Sequence, residues 1–181
     1  MKILEKNIKN KIHFVGIGGI GMSGIAEVLF SQGYKIQGSD LTNNANTKRL
    51  KKKGIKIFKG HSSKNLKDIN ILVISSAIKK NNSELKFAKK NKIPVYKRSD
   101  ILAALIKYNE AIAVSGSHGK TTTTSLISSV LENAKFDPTT IIGGIVNQYK
   151  STARIGKSNW MVVEADESDG SLVDLFPKIA V

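Results

Sequence analysis

The sequence predicts an α/β protein: a Rossmann-like parallel-sheet domain followed by the first part of a P-loop-type α/β ATPase domain. Three observations predict it. Short apolar runs alternate with helix-like segments from Lys11 onward, and such alternation with short connections produces right-handed βαβ units and a parallel sheet. Two glycine turns, Gly16–Gly21 and Gly116–Gly119, each follow an apolar run and open into a helical segment. Each turn also stands near the start of its own strand–helix series, which divides the chain into domains over 1–108 and 109–181, joined near Lys107–Glu110.

In the first series the expected strands are Ile12–Ile17, Lys35–Gly38, Ile55–Phe58, Ile69–Ser75 and Ile93–Tyr96. Between them the expected helices are Met22–Gln32, Ala45–Lys53, Ser83–Asn91 and Ser99–Ile106. The lysine runs Lys51–Lys53 and Lys89–Lys90 fall near a Gly or Asn helix stop, as solvated helix faces do. In the second series the order is strand Ala111–Ser115, helix Lys120–Ala134, then strands Thr139–Ile142, Trp160–Glu164 and Lys178–Val181. The segment Phe176–Val181 reads as entry into a further strand without its crossover helix, so the chain is expected to be a truncated piece of something longer.

Composition bounds the function. The 181 residues are 40% hydrophobic with only 3 prolines, enough to bury a core. No apolar run approaches the ~20 residues of a membrane span, and Met1–Lys6 lacks a signal-peptide core. Cysteine is absent, which excludes disulfides and thiolate metal sites and points to the cytoplasm. The net charge of +15 suggests nucleic acid, but only Arg49, Arg98 and Arg154 are arginines. The other basic residues are lysines spread over nearly every polar segment, a compositional bias rather than a phosphate-reading patch. No nucleic-acid or membrane partner is expected.

The most informative stretch is Gly116-Ser-His-Gly-Lys-Thr121. A turn of this kind aims backbone N–H groups at one spot, and the helix N-terminus adds partial positive charge there. Lys120 brings a full charge to the β- and γ-phosphates, and the Thr121 hydroxyl is a ligand for Mg²⁺. Val114 stands where the full P-loop pattern has its first glycine. The run Thr121–Thr124 is poor helix-forming sequence, which argues that something other than capping selects it. His118, inside the turn, is read as a hydrogen-bond donor to phosphate or to a substrate carboxylate.

The earlier turn, Gly16-Ile-Gly-Gly-Ile-Gly21, satisfies the dinucleotide fingerprint in its proper context, after a strand and before a helix. In that reading Gly16 makes the tight turn, Gly18 lets backbone approach a diphosphate, and Gly21 permits close helix–strand packing. Asp40 ends the second strand, where a carboxylate accepts ribose hydroxyls. These features select a diphosphate and a ribose, and both NAD and UDP-linked sugars supply them; an NAD-dependent oxidoreductase is the rival reading. Ser75 and Ser76, at a strand end beside this turn, either touch the same ligand or cap local backbone.

Trp160–Asp169 is an apolar strand running into four acids, Glu164, Asp166, Glu167 and Asp169. Ligands of open α/β sheets gather outside the C-terminal strand ends, so Glu164 is expected to approach Thr121 and share a magnesium ion. Asp166, Glu167 and Asp169 have weaker claims. Gly143-Gly144, after a strand, lets backbone approach a substrate. His13 is read as a strand residue, His61 as a loop residue, and Trp160 as core.

Together, His13–Gly24, Gly116–Thr124 and Glu164–Gly170 resemble the Mur ligases of bacterial peptidoglycan synthesis, in order and spacing across essentially the whole chain. The resemblance implies an ATP-dependent amide-forming ligase with a Rossmann-like UDP-sugar domain, a central ATPase domain and a C-terminal domain that helps bind the amino acid. Within the family it points to UDP-N-acetylmuramate and L-alanine as substrates, with a murein peptide recycling ligase as the nearest relative. It implies that Gly18 to Ser23, with Gly19, Gly21 and Met22 among them, face the UDP diphosphate, and Gly16, Asp40, Ser75 and Ser76 are expected at the same UDP-sugar site from the residue reading above. Gly116, Ser117, His118, Gly119, Lys120, Thr121 and Thr122 would serve ATP, a substrate, with Lys120 and His118 as the catalytic pair. Thr121 and Glu164 would hold Mg²⁺. The third domain and the later central-domain contacts of the family lie beyond Val181. Oligomeric state is left open.

Overall fold

A computed structural model of the chain describes residues 10–146, 151–165 and 175–181. The chain divides into two compact units, Glu5–Ile101 and Leu102–Val181.

The first unit is built from strands β1 (Lys11–Val15), β2 (Lys35–Asp40), β3 (Lys56–Lys59), β4 (Ile71–Ile74) and β5 (Val95–Lys97). They pair in the order β3-β2-β1-β4-β5, all parallel. Parallel strands buried on both faces read as continuous apolar runs, and central β1 does: Ile12, Phe14 and Val15 are fully buried. Helix α1 (Ile20–Ser31) buries Met22, Ile25, Ala26, Val28 and Leu29. Helices α2 (Ala45–Lys52) and α3 (Ser83–Lys90) start on Asn44 and Asn82, whose side-chain oxygens accept from backbone N–H groups of the first turn. Helix α4 (Arg98–Lys107) carries the chain across the boundary between the units.

The second unit has β6 (Glu110–Val114), α5 (Lys120–Asn133), β7 (Thr139–Val146), β8 (Ser151–Arg154), β9 (Trp160–Glu164) and β10 (Ile179–Ala180). The strand order is β10-β6-β9-β7-β8. Strands β10, β6, β9 and β7 are parallel, while β8 runs antiparallel to β7 with an irregularity between Ile141 and Val146. The sequence reading names neither β8 nor the later half of β7. Ser-Thr-Ala-Arg has no apolar run to mark it, yet Ser151, Thr152 and Ala153 are buried once β7 lies beside them. Among the described residues, no helix is long and apolar enough to cross a membrane.

Candidate functional site

In the second unit, β6 and β9 are registered with Val114 opposite Glu164, and Ala165 N–H donates to the Val114 carbonyl. Both strands therefore end at one level, where the exposed turn Gly116–Gly119 leads into α5. The N-cap is Gly119, in the left-handed region at φ 78°, with no side chain to satisfy the first-turn N–H groups. Lys120 opens the helix, and its Nζ donates to the Gly116 carbonyl at 2.5 Å, so the ammonium lies across the turn. Thr121 Oγ1 donates to Glu164 Oε2 at 2.9 Å. The Gly143 N–H donates to the same oxygen, also at 2.9 Å.

Gly143 is a close-approach position: a Cβ there would stand 2.7 Å from Glu164 Oε1 and 3.0 Å from its Cδ. The carboxylate is thus held between the start of α5 and the middle of β7. Ser117, His118 and Thr122 are exposed. Asp166, Glu167 and Asp169 lie outside the described residues.

The Thr121–Glu164 pair suits a hard cation. Adjacent oxygens on an octahedral magnesium, each at ~2.1 Å, stand about 3 Å apart, matching the 2.9 Å between these two. Among the described residues no three His, Cys, Asp or Glu side chains cluster as a metal site. A cation here would complete its shell with phosphate oxygens and water.

In the first unit, the Gly16 and Ile17 N–H groups both donate to the Ser39 carbonyl, at 2.8 and 3.1 Å. Gly18 is buried, and both its backbone groups have protein partners. Its N–H donates to Asp40 Oδ2 at 2.8 Å, and its carbonyl accepts from Asn44 Nδ2 and Asn46 Nδ2 at 3.1 and 2.9 Å. A Cβ on Gly18 would meet Asn44, Asp40 and Thr47 side-chain atoms at 2.8 Å. Glycine at 18 therefore admits the start of α2. Asp40 Oδ1 accepts from the Thr42 N–H and hydroxyl, both at 2.9 Å, so this carboxylate clamps the loop to the turn.

The residue left open is Gly19, the exposed N-cap of α1, which has no side-chain cap. Met22 and Ser23 are buried, and the Ser23 hydroxyl donates to the Ile20 carbonyl at 2.9 Å. Around that helix start, Gly21 lies against the Arg98 stem, with a Cβ position 3.0 Å from Arg98 Cδ. Ser75 sits beside Gly16 and its Oγ accepts from Ala77 N–H at 3.2 Å; Ser76 is exposed.

Beneath this turn is a polar network that the sequence reading missed. His13, Ser39 and Glu84 are fully buried and Gln37 nearly so. Ser39 Oγ donates to Glu84 Oε2 at 2.6 Å and lies 2.9 Å from His61 Nδ1. Glu84 Oε1 accepts from Asn65 Nδ2 at 2.7 Å and lies 3.4 Å from His13 Nε2. Burial by itself pushes the Glu84 carboxyl up, but hydrogen bonds from His13, Ser39 and Asn65 outweigh it and hold it below its ordinary value. The available signal was Asn82, an N-cap that fixes Glu84 in the first turn of α3; nothing local says that this turn faces β2.

Residues 11–110 match the Mur ligase family, catalytic domain. The UDP-N-acetylmuramate–L-alanine ligase of Brucella ovis is 55% identical over 170 residues, covering 94% of this chain and 36% of the relative. This chain thus spans about a third of that relative's length. Among solved structures, the UDP-N-acetylmuramate-alanine ligase MurC of Thermotoga maritima aligns with TM-score 0.88 at 35% identity, over 94% of this chain and 40% of that one. The UDP-N-acetylmuramate:L-alanyl-γ-D-glutamyl-meso-diaminopimelate ligase of Neisseria meningitidis aligns with TM-score 0.86 at 27% identity, over 94% and 59%. A parallel sheet of order β3-β2-β1-β4-β5, a glycine turn on β1 and a family match over more than half its length lead to one conclusion: the chain belongs to the Mur ligase family.

Proposed function

We propose that this chain supplies the UDP-sugar site and the ATP phosphate site of a ligase that joins L-alanine to the lactyl carboxylate of UDP-N-acetylmuramate. The observation that carries the reading is the Thr121–Glu164 contact beside the Lys120 turn. The 55% identity to a ligase named for that reaction, against 27% to the peptide-adding one, favours L-alanine as the amine.

In this reading a lactyl carboxylate oxygen attacks the γ-phosphorus of ATP in line, the bond to the β-phosphate oxygen breaks, and an acyl phosphate and ADP result. The alanine amine then attacks the acyl carbon and loses a proton as inorganic phosphate leaves. Lys120 gives up its Gly116 carbonyl for the transferring phosphoryl group, and the first-turn N–H groups of α5 bind the other phosphates. His118 donates a hydrogen bond to phosphate or to the attacking carboxylate. Thr121 and Glu164 would hold Mg²⁺, which would neutralise charge on the triphosphate. In the first unit the diphosphate lies against the start of α1 at Gly19. Asp40 serves by holding Gly18, which replaces the direct ribose contact with a positioning role. The reaction would be cytoplasmic, where ATP and the UDP-sugar are found.

Calorimetry with UDP-N-acetylmuramate and with Mg-ATP tests the two sites. Lys120→Ala is expected to abolish ATP binding and leave UDP-sugar binding nearly intact; equal loss of both contradicts the assignment. The 181 residues alone are expected to bind the UDP-sugar and form little amide. In a protein of the relatives' full length, phosphate release with L-alanine, and not with the tripeptide, supports the named reaction.

A further inference from the structure

Ser39 touches both sides of the first site. Its carbonyl receives the Gly16 and Ile17 N–H groups of the glycine turn, and its hydroxyl meets His61 and Glu84. His61 follows Gly60, whose N–H donates to the Asp40 carbonyl at 2.7 Å, so it lies just past the C-terminal end of β3, at the edge of the sheet where the turn is.

The network dictates where its protons are. Gln37 Nε2 donates to the Asn65 carbonyl at 2.7 Å, which identifies the amide nitrogen, and the same nitrogen lies 3.0 Å from His13 Nδ1. His13 Nδ1 is therefore an acceptor and its ring proton is on Nε2. Ser39 has one hydroxyl proton, committed to Glu84 at 2.6 Å. Its lone pairs then accept from His13 Nε2 at 3.3 Å and from His61 Nδ1 at 2.9 Å. His61 Nδ1 also lies 3.3 Å from Glu84 Oε2, a second acceptor. The His61 proton thus belongs on Nδ1, and Nε2 keeps its lone pair.

Among the described residues that lone pair has no protein partner, and the only buried unpartnered side-chain atoms are Arg49 Nη2 and Thr124 Oγ1. His61 Nε2 is therefore open to solvent. A buried carboxylate, a buried serine and a buried histidine are spent on orienting one partly exposed ring. A charge so deep is costly unless fully bonded, and an apolar trio would serve packing alone.

We propose that Glu84 is a positioning residue of the first site: acting through Ser39, it fixes His61 with Nε2 as a pure acceptor for an N–H or O–H of the ligand's nucleoside. The donor is either the uracil imide or a ribose hydroxyl. This deepens the reading of the first turn as a UDP-sugar site and rests on it.

The test titrates the protein and its His61→Ala variant with UDP, its N3-methyl analogue and its 2′,3′-dideoxy analogue, with melting curves alongside. His61→Ala is expected to weaken UDP about tenfold, the value of one good hydrogen bond, and to have no further effect on the analogue lacking the donor it served. Nitrogen-15 NMR of the imidazoles adds a signature that a merely structural role does not move: a protonated Nδ1 and an unprotonated Nε2 on His61, the latter shifting when UDP is added. Glu84→Gln is expected to abolish that tautomer preference; should it fail to fold, the His61 variant and the wild-type spectra still decide. Unchanged UDP affinity in His61→Ala, or a wild-type ring protonated on Nε2, overturns the proposal while the site stands. Absence of UDP binding in the wild-type protein overturns both.

Discussion

Thr121 and Glu164 meet at 2.9 Å, a helix-start hydroxyl against a strand-end carboxylate 43 residues later in the chain. The contact exists because β9 is registered on β6 so that Glu164 lies opposite Val114, the last strand residue before the turn. The two oxygens are held together before any nucleotide arrives, at the residue that follows Lys120 in the first turn of α5.

Glu164→Gln keeps the shape of this pair and removes its charge. Mg-ATP binding is expected to weaken, and turnover in the full-length protein to fall by about 100-fold or more, the scale of losing a metal-held phosphate clamp. Magnesium titration of ATP binding checks it: an unchanged magnesium dependence would remove Glu164 from the metal site.

Gly143→Ala drives a Cβ to 2.7 Å from Glu164 Oε1, while Gly144→Ala places one 3.5 Å from Thr121 Cγ2. The first is expected to destabilise by about 1–3 kcal/mol, as overpacking does, and to weaken Mg-ATP. The second is expected to be close to neutral. Urea midpoints of the two variants give the comparison, and equal midpoints would contradict it.

Asp40→Ala breaks the clamp on Gly18 and Thr42. If the carboxylate works by positioning, the variant loses about 1.5–3 kcal/mol of stability without ligand, the range for hydrogen bonds to a charged group. It also binds UDP more weakly. A variant as stable as the wild type but deficient in UDP binding would restore a direct ribose contact.

Glu84 ties stability to pH. Its carboxyl is held below the ordinary 4.5 in the folded protein, so the folded state binds that proton less readily than the unfolded chain. Its contribution is fully present above 4.5 and is lost as pH falls through the lower folded value. Urea midpoints between pH 7 and 3 are expected to drop in the acid range, and Glu84→Gln to be less stable at pH 7 with a flatter acid limb. An equally steep limb in the variant would assign the acid sensitivity elsewhere.

Both glycine turns, the parallel sheets and the approach of Glu164 to Thr121 were legible in the amino-acid order. Each depends on local chemistry: apolar runs of strand length, glycines at a strand–helix junction, and the rule that parallel strands bring their C-terminal ends together. The antiparallel strand β8 was not legible, because its four residues carry no apolar signature and are buried only through pairing with β7. Nor were the contacts of Gly18, Asp40 and Glu84. A glycine's reason lies in what presses on its missing side chain, and a carboxylate's in which donors reach it. For Gly18 these are Asn44 and Thr47, and for Glu84 they are Ser39 and Asn65, residues from other elements. Sequence spacing alone determined that two glycine turns each join a strand to a helix; tertiary packing decided that Glu164 meets a helix-start hydroxyl while Asp40 and Glu84 brace the scaffold.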